Sequence, residues 1–273
     1  MDIEDKREKL KQYYFSIKDC KNCNLAATRT NFVFGSGNAN SVIMFIGEAP
    51  GRNEDLQGKP FVGQAGKLLD DLLASINLNR NEVFIANVLK CRPPQNRDPN
   101  LEEISKCKNY LFKQIEIINP SIICTLGKYS TQLLLNTDEG ITALRGRVFK
   151  IGNRFILPIN HPAAALYSPS RFEILKLDFK RIQKILGIVK SNFNDGSINI
   201  EYSYDLKQVN FDNTTENATN SINFISSDEY KNLKDKEILN NNLNTNTLEN
   251  TNNSKTKNDK NDKNLSQKQL GLF

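Results

Sequence analysis

The sequence predicts an α/β fold: a three-layer α/β/α domain around a central, mainly parallel four-stranded sheet, followed by a disordered C-terminal tail. Over roughly the first 190 residues, short apolar runs alternate with longer amphipathic stretches, as is typical of a parallel sheet covered on both faces. Beyond about residue 195, Asn, Lys, Asp, Ser and Thr dominate, and such a segment buries too little apolar surface to offset its ordering entropy. We therefore expect a folded domain over 1–192, a disordered tail over 193–266 and a terminal motif over 267–273.

Each predicted element has a local signature. A run of apolar residues from 42 to 46 predicts a buried strand that stops at Gly47. Pro93 and Pro94 force the chain out of regular structure after the next strand, and Asn100 suits the cap of the helix that follows. The predicted elements are, in chain order, helix 4–17, strand 42–46, helix 68–76, strand 83–89, helix 101–118, strand 121–126, helix 127–135, a hairpin of 147–151 with 154–159, and helix 171–189.

The charge of the chain is unevenly distributed. The 273 residues carry a formal net charge of +6, but residues 1–199 hold 28 Lys and Arg against 20 Asp and Glu, so the predicted domain is its basic part. A basic domain suits a polyanionic partner, although many soluble enzymes share this degree of basicity. Met1 is followed by charged residues rather than an apolar segment, and no apolar run reaches the length of a membrane span. We therefore expect a cytoplasmic, nucleoid-associated monomer without membrane contact, in which the five cysteines form no structural disulfides.

The loop after the first predicted strand has the composition of a binding site. It carries Glu48, Glu54 and Asp55 among glycines, continues through Phe61, and enters a helix at the sequence Gly-Gln-Ala-Gly over 63–66. Open α/β sheets bind ligands at the carboxyl ends of their strands, and a helix N-terminus attracts anions such as phosphate. A glycine-containing loop between a strand and a helix is also common in proteins without a site there, so this loop alone does not establish a function.

Two further loops bring polar groups to the same predicted edge. Asn87 lies near the carboxyl end of the second strand, and His161, the only histidine, follows the last strand and precedes Pro162. Each has a structural explanation, because an asparagine often satisfies a sheet end and a lone histidine is usually part of a core. Together with the first loop, however, they place an amide, an imidazole, an aromatic ring and carboxylates at one edge.

The cysteines and the last seven residues are separate signals. Cys20 and Cys23 form a C-x-x-C pair, which is compatible with a metal site, a redox pair or coincidence. The chain ends in Gln-Lys-Gln-Leu-Gly-Leu-Phe over 267–273, whose apolar side chains could fill a pocket of a partner while the tail acts as a tether.

Four motifs, in order, carry a resemblance that covers about residues 10–190. They are GEAPGxxED from Gly47, GKPFVGxAG from Gly58, NVLKCRPPxNRDP from Asn87, and HPAA from His161. In this order they resemble the iron–sulfur uracil-DNA glycosylases, family 4 of that superfamily. The resemblance implies a repair enzyme that flips uracil out of DNA, hydrolyses its N-glycosidic bond and leaves an abasic site.

The resemblance also implies a structural [4Fe-4S] cluster. It identifies the ligands as Cys20, Cys23, Cys107 and Cys124, and makes Cys91 a cysteine that is not a ligand. Four thiolates are what such a cluster needs, but zinc accepts the same set, so the identity of the metal rests on the resemblance.

The resemblance assigns roles to the residues of the three loops. Phe61 would stack on the flipped base, Asn87 would hydrogen-bond its edge, and His161 would donate to uracil O2, as a neutral imidazole or as a cation. Glu48 and Glu54 are the candidates for stabilising the sugar cation and orienting water. The best-known relatives carry an Asp where this chain has Ala49, and a Tyr that excludes thymine where it has Gly51, so that Glu54 is our candidate for excluding thymine.

The DNA backbone and a sliding clamp are the further partners that the resemblance suggests. Leu166 is the candidate wedge into the base stack, with Ala165 as the alternative. The C-terminal pentapeptide resembles the clamp-binding motif of bacterial proteins, with Gly271 in place of the usual Ser or Asp, and its candidate contacts are Gln269, Leu270, Leu272 and Phe273. The expected contacts to DNA are Gly63, Gln64, Arg92, Leu166, Ser170 and Arg171.

Two other functions remain open at this point. The same fold could be a non-catalytic DNA-binding module held at replication sites by its tail. Alternatively, the enzyme could remove hypoxanthine and other deaminated bases as well, because Ala49 and Gly51 leave room in the pocket.

Overall fold

The computed structural model describes residues 3–151 and 153–194, and the side chains of 5–151 and 153–189. The predicted tail beyond residue 194 and the terminal motif over 267–273 lie outside the described residues. The domain boundaries drawn from the sequence therefore stay predictions. Within the described ranges, no helix is both long enough and apolar enough to cross a membrane.

A six-stranded sheet forms the centre of the fold. Its spatial order is β1-β3-β2-β4-β6-β5, and the four inner strands are mutually parallel. The two outer strands pair antiparallel with their neighbours. The strand bounds are β1 Ser36–Gly37, β2 Ile43–Gly47, β3 Phe84–Asn87, β4 Ile122–Leu126, β5 Phe149–Ile151 and β6 Arg154–Ile159.

Seven α-helices connect and cover these strands within the described residues. Their bounds are α1 Ile3–Ile17, α2 Arg52–Gln57, α3 Gln64–Ala74, α4 Leu101–Ile118, α5 Lys128–Leu135, α6 Ile141–Leu144 and α7 Pro169–Asn194. Short 3₁₀ turns lie at Asn24–Ala27, Pro94–Asn96 and Pro162–Ala165.

Alternation along the inner strands divides the core between the two faces of the sheet. Met44 and Ile46 of β2 pack into the apolar cluster that includes residues of α1 and α4. Phe45, between them, stacks on Phe179 of α7 with ring centroids 5.7 Å apart. Successive side chains of a strand point to opposite faces, so the apolar run predicted as a buried strand contributes to both. The three-layer α/β/α prediction is confirmed.

The sheet has six strands where the sequence predicted four, and the edge strand β1 was not predicted. The hairpin predicted over 147–159 is confirmed as β5 and β6, but β1 consists of Ser36 and Gly37 alone and has no apolar alternation that a sequence pattern could reveal. Gly37 has a positive φ of 125°, and a Cβ there would lie 2.0 Å from the carbonyl oxygen of Val83. The close approach of two backbones, rather than side-chain packing, therefore forms this edge.

Replacing Gly37 by Ala should lower the free energy of unfolding by about 1–3 kcal/mol, because the new methyl group meets a backbone oxygen in a strained conformation. The measurement is denaturant unfolding monitored by circular dichroism. Gly187→Ala in α7 is the matched control, since a Cβ there meets nothing within 4 Å. That control should be neutral or more stable by up to about 1 kcal/mol, and equal destabilisation of both variants would contradict the account of β1.

Candidate active site

A cavity of about 600 Å³ opens at the carboxyl ends of the parallel strands. It brings together most of the side chains that the sequence singled out, from loops that are far apart along the chain. Those in its lining are Glu48, Ala49, Gly51, Glu54, Phe61, Gly63, Gln64, Asn87, His161 and Leu166. Three predicted DNA contacts, Arg92, Ser170 and Arg171, do not line it.

Asn87 presents an unused acceptor at this cavity. It is the last residue of β3, is only 2% exposed, and pairs in register with Gly47 at the end of the neighbouring strand. Its side-chain oxygen has no hydrogen-bond partner among the described residues. Buried polar groups are nearly always satisfied, so an unpartnered amide oxygen in a cavity indicates a ligand that supplies the missing donor.

Phe61 is held in a backbone conformation that few residues with side chains adopt. Its φ is +51°, and its carbonyl oxygen accepts a hydrogen bond from the guanidinium of Arg80. A Cβ at Gly66 would lie 1.9 Å from the same oxygen, so only glycine allows α3 to pass there. The surroundings thus fix the ring of Phe61, which lies near-parallel to that of His161, with centroids 5.5 Å apart.

The surroundings of His161 settle its protonation. Its Nδ1 accepts a hydrogen bond of 3.1 Å from the backbone N–H of Ala163, so the ring proton is on Nε2. The ring forms part of the cavity lining, but its burial lowers its pKa to about 4. The nearby carboxylate of Glu54 partly opposes this shift. His161 is therefore a neutral imidazole near pH 7, with an N–H group left to donate.

The two candidate carboxylates do different things. One oxygen of Glu54 accepts from the backbone N–H groups of Val62 and Gly63, at 2.8 Å each, and so ties α2 to the loop that carries Phe61. The other oxygen would lie 2.7 Å from a Cβ at Gly51. Glu54 is thus part of the scaffold of the cavity.

Glu48, by contrast, has an environment typical of a working acid or base. Burial raises its pKa to about 7, the nearby carboxylate of Asp98 adds to that shift, and Lys128 opposes it. A carboxyl group whose pKa is shifted towards neutrality, in the wall of a cavity, is a functional candidate. The third acid of the loop, Asp55, faces away and accepts from the backbone N–H groups of Thr30 and Asn31.

Three features of the rim change, narrow or add to the sequence predictions. The N–H of Gly63 is taken by Glu54, so it is not free for phosphate. Ala165 is only 6% exposed, which leaves Leu166 as the candidate wedge. Sequence reasoning also missed Tyr167, which is 88% exposed beside Leu166, with its hydroxyl 3.4 Å from the side-chain oxygen of Gln64. An aromatic residue directly after the HPAA motif and Leu166 was the available signal.

Comparisons with known proteins agree with this geometry. Residues 34–186 match the sequence model of the uracil DNA glycosylase superfamily. The chain belongs to the uracil-DNA glycosylase superfamily. It is 46% identical over 188 residues to a type-4 uracil-DNA glycosylase of Archaeoglobus fulgidus, which covers 66% of this chain and 94% of that protein.

Two further relatives have the same printed name. A type-4 uracil-DNA glycosylase of Saccharolobus solfataricus is 47% identical over 193 residues, covering 66% of this chain and 89% of the relative. Another, of Sulfurisphaera tokodaii, is 44% identical over 226 residues, covering 80% and 99%. The resemblance to the superfamily that the four motifs carried is confirmed.

The structure separates two of the four cysteines that the resemblance identified as cluster ligands. Cys124 is fully buried in β4, next to Ile123, which packs on the α1 and α4 face of the sheet. Adjacent strand residues point to opposite faces, and Cys124 lies near Asp178 of α7, whose charge adds to burial in raising the thiol pKa. Cys107 is on α4 and packs in the cluster with Ile123, so the sheet separates it from Cys124.

Cys91, rather than Cys124, lies on the same side of the sheet as the other three cysteines. It packs in one apolar cluster with Cys107, and Cys20 and Cys23 lie against that cluster. Burial raises the pKa of Cys91, and the nearby thiols of Cys23 and Cys20 add to the shift. Among the described residues, no three His, Cys, Asp or Glu side chains are grouped closely enough to hold a metal ion.

Proposed function

We propose that this chain is a uracil-DNA glycosylase, which flips uracil out of DNA and hydrolyses its N-glycosidic bond, releasing the base and leaving an abasic site for base excision repair. One observation carries the proposal: the amide oxygen of Asn87 is buried without a partner, in a cavity that also holds the rings of Phe61 and His161. The printed names of the relatives support it.

The amide of Asn87 accounts for the choice of uracil. The flipped base stacks on Phe61, the side-chain oxygen of Asn87 accepts from uracil N3–H, and its NH₂ group donates to O4. Cytosine presents the reverse pattern at these two positions and would leave the buried amide and the base unpaired. Sites that recognise a substrate through buried hydrogen bonds reject such analogues by up to about 10⁴–10⁵-fold.

His161 stabilises the leaving uracil. Negative charge develops on the uracil ring as the glycosidic bond breaks, and the Nε2–H group of the neutral imidazole donates to O2. The N–H of Ala163 holds the ring in this tautomer, so the donor is oriented before the reaction begins. Removing one such preorganised donor typically costs about 3–4 kcal/mol of transition-state stabilisation.

Glu48 is our candidate for the carboxylate that stabilises the developing sugar cation and orients the attacking water. Glu54 is less suited, because one of its oxygens is bound to two backbone N–H groups. The other oxygen fills the space beside Gly51, where the best-known relatives carry a tyrosine. We therefore keep Glu54 as the candidate for excluding the methyl group of thymine.

The DNA strand would cross the rim of the cavity. Leu166 enters the gap left by the flipped base, and the exposed ring of Tyr167 offers a face on which a neighbouring base can stack. Arg92 and Arg171 remain candidates for phosphate contacts beyond the cavity. From the sequence we also propose that residues 267–273 bind a sliding clamp. We further propose that the protein is a cytoplasmic monomer that acts at the nucleoid.

The four neighbouring cysteines fit a [4Fe-4S] cluster, which would be held by Cys20, Cys23, Cys91 and Cys107. Three of the sulfurs already accept hydrogen bonds, which stabilise a thiolate: Cys20 from the Tyr110 hydroxyl at 3.1 Å, Cys91 from Arg29 at 3.3 Å and Cys107 from the N–H of Lys90 at 3.4 Å. A bound cluster would supply a structural cross-link between the N-terminal segment, the loop after β3 and α4.

The first test is base release from single- and double-stranded oligonucleotides that contain one uracil, detected by cleavage at the abasic site. Uracil should be released, and thymine and cytosine should not, because only uracil complements the amide of Asn87. Release of hypoxanthine as well would favour an enzyme of broader scope. An inactive protein with an intact cluster would overturn the proposal in favour of a non-catalytic DNA-binding module.

The rate of uracil release should rise with pH through about 7, the raised pKa of Glu48. Below that value Glu48 is protonated and cannot stabilise a cation, whereas His161 is already neutral above a pH of about 4. A single-turnover pH profile measures this. Glu48→Gln should lower the rate by about 10²–10⁴-fold and abolish the rise, and a profile of unchanged shape in this variant would exclude Glu48.

Cys91→Ser should lose iron and visible absorption, whereas Cys124→Ser should keep both. The two thiols are matched in being buried, but only Cys91 lies among the other three cysteines. Iron content per chain and absorption spectra of the anaerobically purified variants provide the measurement. Iron retained in Cys91→Ser and lost in Cys124→Ser would restore the ligand set expected from the sequence.

A further inference from the structure

Lys90 is a fully buried lysine directly behind the base-recognition site. Its side chain has no exposed surface, yet its ammonium group is well satisfied: Nζ donates to the backbone oxygen of Asn87 at 2.8 Å and to the side-chain oxygen of Gln114 at 2.6 Å. Burying a charge is costly unless it is paired or hydrogen-bonded. The presence of a buried ammonium group at this position therefore indicates that its hydrogen bonds have a structural or functional role.

The bond to Asn87 acts on a residue whose side-chain oxygen makes no hydrogen bond within the described residues. β3 ends at Asn87, which pairs with Gly47 of β2, and the N–H groups of Val88 and Leu89 donate to the backbone oxygens of Gly47 and Glu48. The side-chain oxygen of Asn87 has no partner among the described residues, so no hydrogen bond to that atom orients the amide before substrate arrives. The position of the amide is then set through the backbone of Asn87: the peptide unit that follows it donates from the N–H of Val88 to Gly47, and Lys90 binds its carbonyl oxygen.

Gln114, the second acceptor of the Lys90 ammonium group, is itself held by a hydrogen bond. Gln114 is fully buried on α4, and its Nε2 donates to the backbone oxygen of Phe34 at 2.9 Å. The backbone N–H of Lys90 also donates to the sulfur of Cys107, two turns earlier on the same helix. An ammonium group has donors only and can hold two oxygen acceptors at once, which suits the oxygens of Asn87 and Gln114.

We propose that Lys90 is a positioning residue for uracil recognition: by bridging Asn87 to Gln114 it fixes the backbone from which the base-recognising amide projects. The inference rests on the proposed function of this cavity. It assigns no contact between Lys90 and the substrate, and its effect on the reaction passes through Asn87 alone.

The test is a double-mutant cycle of Lys90→Met and Asn87→Ala. Methionine retains the apolar stem and removes the three donors. In the wild-type background Lys90→Met should lower kcat/KM for uracil release by at least about tenfold, whereas in the Asn87→Ala background it should change kcat/KM by less than about twofold. The same fold-loss in both backgrounds would overturn the proposal, because a general structural role does not depend on the amide.

Two companion variants separate positioning from stability. Ser41→Ala removes a buried hydroxyl that donates to backbone oxygens, including that of Glu82 at 3.0 Å, at the start of β2 and the far end of the sheet. It should lower thermal stability without changing kcat/KM. Gln114→Met, which keeps Lys90 but removes one acceptor, covers the case in which Lys90→Met does not fold, and its smaller loss should also vanish in the Asn87→Ala background.

Iron content and wild-type activity distinguish the remaining outcomes. Lys90→Met should keep the iron content of the wild-type protein. Loss of iron together with an equal loss of activity in both backgrounds would place Lys90 in support of the cysteines and overturn the proposal. An inactive wild-type protein would refute the proposed function itself, whereas an active wild type with additive losses would refute only the role of Lys90.

Discussion

The site depends on the absence of a side chain at Gly47. A Cβ there would lie 2.3 Å from the amide oxygen of Asn87 and 2.7 Å from the ring of Phe61, so no other residue lets these two groups approach the strand end. The neighbouring interactions preserve this approach: Arg80 and Gly66 hold the backbone of Phe61, and Glu54 holds the loop beyond it. The strand end therefore contributes only backbone beneath these two side chains.

The same enclosure sets the charges of the two groups proposed for the chemistry. Burial lowers the pKa of His161 to about 4 and raises that of Glu48 to about 7. A low-dielectric environment favours the neutral form of both an acid and a base. The imidazole is thus a neutral donor across the physiological range, while the carboxyl group titrates within it. One physical cause produces a constant donor and a pH-dependent carboxylate in a single cavity.

The cysteines show where inference from sequence stops. The pair Cys20 and Cys23 is visible as a motif, but the choice between Cys91 and Cys124 as the fourth partner depends on the face of the sheet. Adjacent residues of β4 point to opposite faces of the sheet, so Cys124 faces α7 while Ile123 faces α4. No local sequence pattern shows which face of the sheet α4 covers. The resemblance to the family led to Cys124, whereas the packing of the cysteines favours Cys91.

Although it missed β1, α2 and α6, the sequence by itself determined the longer helices, the parallel strands, the superfamily, and the loops that supply Phe61, Asn87 and His161. These follow from local periodicity, turn residues and motif order, which are properties of neighbouring residues. Only the tertiary structure decided that Glu54 supports a loop while Glu48 stays available, that His161 is neutral, that Tyr167 is exposed, and that Lys90 stands behind Asn87. Each of those depends on burial and on contacts between segments distant in sequence, which local pattern does not encode.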